Sequence, residues 1–121
     1  MLGQHGHFKL YAPERVEYAL ERYRKEAERL YEVLDRRLAV RVHVCGEYSI
    51  ADIANWCWVR TYKWSGVPID GLPGVRRWMD AMKERPACRR GIEVPVRLPN
   101  MAKDEEAAKK FAENAQKSLQ T

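Results

Sequence analysis

From Glu14 onward large apolar residues recur at Val16, Leu20, Tyr23, Ala27, Leu30, Leu34 and Leu38. The steps alternate between three and four, which lines one face of an α-helix. The pattern predicts a helix over 14–38, with Pro13 well placed at its first turn. Its other faces carry Glu21–Lys25, Arg22–Glu26 and Glu32–Arg36 at i,i+4, pairs that support a solvated helix surface. A second pattern begins at Ile50. Ile-Ala-Asp-Ile-Ala-Asn-Trp-Cys-Trp-Val places apolar residues on almost every side of a helix, with Arg60 and Lys63 arriving late. A helix apolar all round belongs in a core, so a buried central helix is expected over about 50–65. Ser49 and Asp52 stand three apart at its start, the spacing of a capping box with Asp in the place of Glu or Gln. Loss of that cap alone is expected to cost about 1–2 kcal/mol.

The rest of the chain is punctuated around these two helices. Ser65-Gly66-Val67-Pro68 breaks the central helix and Asp70-Gly71 marks a turn. Val75, Trp78, Met79 and Met82 follow at helical spacing, behind Pro73. Pro86 disfavours helix at Arg85 and opens a new turn, giving a short helix over 87–91 before Pro95 and Pro99. Met1 to Ala12, with glycines at 3 and 6, is a poor isolated helix. Ala39 to Gly46 alternates valine with polar residues, a strand pattern. A lone strand has no partner, so an extended connection whose valines pack on the helices is expected. Met101 to Thr121 is rich in Lys, Glu and Ala, with only Met101, Phe111 and Leu119 as large apolar residues. That suits a peripheral tail helix.

The fold class is therefore all-α: four to five helices around the central one, a domain over 1–94 and a tail over 95–121. The expected core holds Val16, Leu20, Tyr23, Leu30, Leu34, Ile50, Ile53, Trp56 or Trp58, Val75, Trp78 and Met82.

Composition narrows the classes of function. In 121 residues, 45% hydrophobic content with four Trp and six Tyr excludes a disordered chain. No apolar run nears the ~18 residues of a membrane span, and no signal segment opens the chain, so a cytoplasmic protein without membrane attachment is expected. The net charge of +5 alternates with acids along most of the chain. Its one dense group, Arg76, Arg77, Arg85, Arg89 and Arg90, lacks an aromatic single-strand platform, so no nucleic-acid partner is expected. Cys45, Cys57 and Cys88 form neither C-x-x-C nor a zinc pattern. Cys57 in the apolar helix reads as a buried structural thiol. His5 and His7 form H-x-H and His43 stands apart. Without a third ligand at a fixed place they read as polar residues on a frayed end, and no metal site is expected.

Four segments carry a family resemblance. Tyr48-Ser49-Ile50-Ala51-Asp52-Ile53 ahead of a Trp-rich helix resembles the capping-box segment of the helical C-terminal domain of glutathione transferases, and is similar to the bacterial nu class. Pro73-x-Val75-x-x-Trp78 followed by Arg85-Pro86-Ala87 resembles the penultimate helix of that domain and the turn after it. Gly3-Gln4-x-x-His7-Phe8 ahead of Ala12-Pro13 looks like the end of its first helix, and Leu20-Glu21-Arg22-Tyr23 looks like a nu-class signature. The resemblance spans about 1–94. The valine-rich linker before Gly46-x-Tyr48-Ser49 departs from it.

The resemblance implies glutathione conjugation or disulfide-bond reduction in the intact family, with glutathione as co-substrate and no further cofactor. It implies a glutathione-carboxylate role for Arg22, whose planar guanidinium can hold a carboxylate through two parallel bonds. It also implies that Gln4, His7 and Phe8 line the cleft for the electrophile or another apolar small molecule. The family's thiol-activating residue lies in a thioredoxin-like domain, and no βαβ pattern occurs in these residues. No catalytic residue is therefore expected here, and the 121 residues alone are expected to be inactive. The alternative is a non-catalytic interaction module on the same helical fold. With one face of the helical domain left bare at Phe8, Leu10 and Tyr11, a homo-oligomer is expected.

Overall fold

A computed structural model describes residues 1–96, 99 and 103–119. Among them are seven α-helices and no strand: α1 (Leu2–Gly6), α2 (Glu17–Ala39), α3 (Ile50–Val59), α4 (Tyr62–Ser65), α5 (Pro73–Glu84), α6 (Pro86–Gly91) and α7 (Glu105–Leu119). A π-helical turn, His7–Tyr11, continues α1. Its widened ladder is seen in the Ala12 N–H bonded to the His7 carbonyl at 2.8 Å. The chain forms two compact units, one of Met1–Ala27 with Pro99–Thr121, the other of Glu28–Leu98.

In the larger unit the core is built from Tyr31 and Leu38 of α2, Trp56 and Val59 of α3, Val75, Trp78 and Met82 of α5, and Cys88 of α6. Val67 and Ile69, in the connection after α4, are also wholly or almost wholly buried. Gly66 ends α4 with φ 73°, the left-handed cap that glycine adopts without strain.

Two long-range caps join α2 to α5. Leu72, ahead of α5, has no capping side chain. Asp35 Oδ1 of α2 instead accepts the Val75 N–H at 2.9 Å, across 40 positions of sequence. In return Arg77 of α5 donates to the Leu38 carbonyl at the end of α2, and to the Arg41 carbonyl at 3.2 Å. An acid thus meets a helix N-terminus and a base a helix C-terminus, the signs the helix dipoles favour. The crossing is close: a Cβ on Gly74 would lie 2.9 Å from the Asp35 carbonyl oxygen and 3.3 Å from the Ala39 nitrogen.

Several expectations are corrected. The helix from Ile50 ends at Val59 and is not buried all round. Asp52, Trp56 and Val59 face inward. Ile50, Ile53, Ala54, Cys57 and Trp58 form an exposed stripe at i, i+3, i+4, i+7, i+8, with Ile50 84% and Trp58 57% exposed. Apolar character shows that a face can be buried, and only packing elements bury it. Cys57 is accordingly exposed, and Cys88 is the buried thiol. α2 begins at Glu17, with Pro13 and Val16 ahead of it rather than in its first turn; its buried positions are Ala19, Ala27, Tyr31 and Leu38, whereas Leu30, like Val16, is exposed. Steps of four drift around a helix of 3.6 residues per turn, so the buried line reaches Tyr31 instead of its neighbour Leu30. Leu20, Tyr23 and Leu34 are half-buried. Val40 and Val42 do not pack on helices either; they are 86% and 64% exposed, ahead of a turn over 43–47 held by isolated bridges.

In the smaller unit the N-terminal segment is folded, not frayed. His5 is buried, Phe8 stacks on Tyr23 with ring centroids 5.6 Å apart, and Tyr11 lies against Phe111 of α7. The expected bare face at Phe8, Leu10 and Tyr11 is therefore half-covered by its own chain. Met101 lies outside the described residues.

Candidate functional site

The smaller unit contains Gln4, His7, Phe8 and Arg22. The π-helical turn sets His7 edge-on to Phe8, at 5.1 Å and 88°, and Phe8 stacks on Tyr23 at 16° between planes. Such offset and edge contacts are the favoured geometries of aromatic pairs. Tyr23 follows Arg22 on α2, so the file of three rings ends on the helical turn that carries Arg22. Arg22 is exposed there, beside the Glu21–Lys25 ion pair at 2.7 Å. Gln4 is exposed on α1, and His7 and Phe8 are half-buried. The result is a file of three rings that ends on the helical turn carrying an exposed Arg22. Sequence reasoning passed over Tyr23 as a core residue. The signal was available in Phe8 and Tyr23, the rings that close two of the family segments.

The second candidate constellation, Ser49 and Asp52, is structural and larger than a cap. Asp52 is wholly buried. Its Oδ2 accepts the Ser49 N–H at 3.0 Å, while Ser49 Oγ accepts the Ala51 N–H at 3.3 Å, closing the capping box. Its Oδ1 accepts Trp78 Nε1 at 2.8 Å and the Val44 N–H at 3.1 Å. His43 Nδ1 lies 3.3 Å from the same oxygen. The His43 ring packs on Tyr48, over which Arg85 stacks with its guanidinium 3.5 Å from the ring centre. One carboxylate thus joins the linker, α3 and α5. Burial pushes the Asp52 carboxyl up, but the bonds from Trp78, Val44 and Ser49, with His43 alongside, outweigh it and hold the group below its ordinary value.

No group of three His, Cys, Asp or Glu side chains able to hold a metal ion occurs among the described residues. No helix among them is long and apolar enough to cross a membrane.

A bundle of this kind, entered through a Ser-x-x-Asp box tied to a buried Trp, defines a recognisable class. The sequence profile described as "Glutathione S-transferase, C-terminal domain" matches residues 4–86, and the chain belongs to that family. Among curated relatives, the Escherichia coli disulfide-bond oxidoreductase YfcG is 44% identical over 88 residues, which are 72% of this chain and 41% of the relative. Among solved structures, a Burkholderia graminis glutathione transferase with two glutathione molecules bound per subunit superposes with a TM-score of 0.72 and 37% identity. The match covers 78% of this chain and 42% of that one. A Pseudomonas putida glutathione transferase holding one glutathione disulfide per subunit gives 0.71 and 38%, over 78% and 44% of the two chains. The chain thus spans less than half the length of each of these three proteins.

Proposed function

We propose that this chain supplies the helical, electrophile-side half of a glutathione-dependent enzyme, performing conjugation or disulfide-bond reduction, with Arg22 holding a glutathione carboxylate. The reading rests on the ring file His7, Phe8, Tyr23, which ends on the turn of α2 that carries Arg22, in a chain similar to transferases whose structures contain glutathione or its disulfide. Glutathione is the co-substrate, and Gln4, His7 and Phe8 border the apolar acceptor. The group that lowers the pKa of the glutathione sulfur, the step that makes the thiolate nucleophile, is assigned by the family resemblance to a thioredoxin-like domain and not to these residues.

The 121-residue chain is therefore expected to bind glutathione weakly and to give no turnover with an aryl halide. Arg22→Ala is expected to weaken binding by about tenfold or more, since a charge-assisted bidentate contact contributes roughly 1.5–3 kcal/mol. Isothermal titration with glutathione checks the first point, and unchanged affinity in Arg22→Ala removes the assignment. Turnover that scales with protein through purification defeats the second.

The exposed stripe of α3 bears on partners. It carries no charge, and contiguous apolar surface of this kind is usually covered in solution. We propose that a second copy packs on it across a two-fold axis, which relocates the expected homo-oligomer contact from the N-terminal segment to Ile50, Ile53 and Trp58. Light scattering should give a dimer at both low and high salt, and Trp58→Glu should return it to a monomer. A wild-type monomer at both salts rejects the dimer. Free thiols at Cys45, Cys57 and Cys88 suit a cytoplasmic setting.

A further inference from the structure

The connection from α2 to α3, residues 40–49, has no part in the glutathione reading. Its valine-rich sequence is where the chain departs from the family pattern. Val40 and Val42 stand exposed to solvent, with Arg41, also exposed, between them.

Three arginines from three parts of the fold converge on this connection. Arg37, near the end of α2, donates through Nε to the Val44 carbonyl at 2.7 Å. Arg77 of α5 donates through Nη2 to the Arg41 carbonyl at 3.2 Å and to the Leu38 carbonyl. Arg41 turns towards Gly46, its Nη1 3.6 Å from the place a Cβ there would take. A guanidinium carries five N–H donors. Arg37 and Arg77 are each held through one nitrogen, and their remaining donors, with all of those of Arg41, have no hydrogen-bond partner among the described residues.

The acids nearby are committed elsewhere. Asp35 caps α5, and Asp52 is buried beneath the donors Trp78, Val44 and Ser49. Asp70 pairs with Arg76 at 3.2 Å. Glu47, the one acid within 40–49, forms no ion pair with any of the three arginines. What remains is a cluster of uncompensated cations edged by two bare valines. Carboxylates fit the first, since each can take two parallel bonds from a guanidinium. Apolar side chains fit the second. A nucleic acid fits less well, because base stacking needs an open ring. Tyr48, the one ring here besides His43, is taken up by His43 and by the Arg85 guanidinium stacked on it.

We propose that Val40, Val42 and the three arginines form a docking surface for an acidic protein segment that carries apolar side chains between its carboxylates. Backbone bonds already hold Arg37 and Arg77, so they lose little freedom when the segment binds. The surface is independent of the Arg22 assignment.

Fluorescence anisotropy on the full chain tests the surface with a labelled peptide of about eight residues, Glu interrupted by two Leu. Affinity should fall severalfold between about 50 mM and about 300 mM salt, as screening shortens the reach of the cations. A peptide with Lys in place of Glu should not bind. Arg41→Glu should lose about fivefold or more, one attraction being replaced by a repulsion. Lys63→Glu makes the same charge change beyond the far end of α3 and should lose less than about twofold. Val40→Ser combined with Val42→Ser should lose about threefold or more. Equal losses in Arg41→Glu and Lys63→Glu would reduce the attraction to net charge and overturn the proposal. So would full affinity in the valine pair, or no binding of the Glu peptide at low salt. Displacement of the peptide by an equal concentration of oligothymidylate would make this a nucleic-acid surface and equally overturn it. The Lys-peptide comparison and the oligothymidylate competition need only the unaltered chain, so they decide the matter even if a variant does not fold.

Discussion

Replacing Asp52 by Ala is expected to destabilise the larger unit by about 3–5 kcal/mol, well beyond the loss of an ordinary helix cap. The cap is only part of what the carboxylate does. Trp78 Nε1 and the Val44 N–H depend on Oδ1, and the Ser49 N–H on Oδ2. Removing the acceptor leaves buried donors unpaired at roughly 1–3 kcal/mol each, the Trp78 indole in a core that water does not reach. Asp52→Asn keeps the shape but is expected to cost about 2–3 kcal/mol, because its amide group turns donors against one pair of donors whichever way it faces. Urea unfolding followed by tryptophan emission measures both. A loss under 1 kcal/mol for Asp52→Ala would mean that these bonds do not form in solution.

The same site sets the acid limit. Since the folded Asp52 carboxyl is held below its ordinary value, the unfolded chain takes up the proton first as pH falls. Its contribution is fully present above the unfolded pKa of about 4 and is lost as pH falls through the lower, folded value. Wild-type stability should decline over that acid window, and the decline should be shallower in Asp52→Asn, which has no carboxyl to titrate.

Gly74→Ala should cost about 2 kcal/mol, although alanine is ordinarily the better helix former by about 1 kcal/mol. The sign is decided by the crossing of α2 and α5. The added methyl would press on the Asp35 carbonyl oxygen and on the Ala39 nitrogen. Both are backbone atoms, so relief requires the two helices to separate. Separation in turn lengthens the Asp35–Val75 bond and the Arg77 contact with the end of α2. Gly91→Ala is the internal comparison: nothing lies within 4 Å of its added carbon, and the change should be neutral or stabilising by about 0.5 kcal/mol. Thermal unfolding of the pair checks the claim, and equal melting temperatures would count against so close a crossing.

Much of this architecture was legible along the chain. The start of α3 is written in Ser49 and Asp52, because a capping box is a local exchange of hydrogen bonds within four residues. The α5 stripe Val75, Trp78, Met82 was equally readable, as were the stop at Gly66 and the starts at Pro73 and Pro86, which act through the dihedral limits of single residues. The family was carried by four short segments for the same reason: each encodes a local constraint that does not depend on what lies across the core.

The sequence by itself determined that the fold is all-α, where α3 and α5 start, and that Asp52 belongs to a cap; it missed the helical turns of 2–11 and placed the start of α2 three residues early. Tertiary structure decided which sides of those helices are inside. It chose Tyr31 over Leu30 and Trp56 over Trp58, and left the stripe from Ile50 to Trp58 open. Periodicity reports that a face is apolar, whereas burial requires another element against it. Only the fold could bring Trp78 and Val44 to Asp52, Asp35 to the start of α5, and Phe8 onto Tyr23. Those pairings span 8 to 40 positions of sequence, and no short-range pattern records a contact that exists only once the helices have packed.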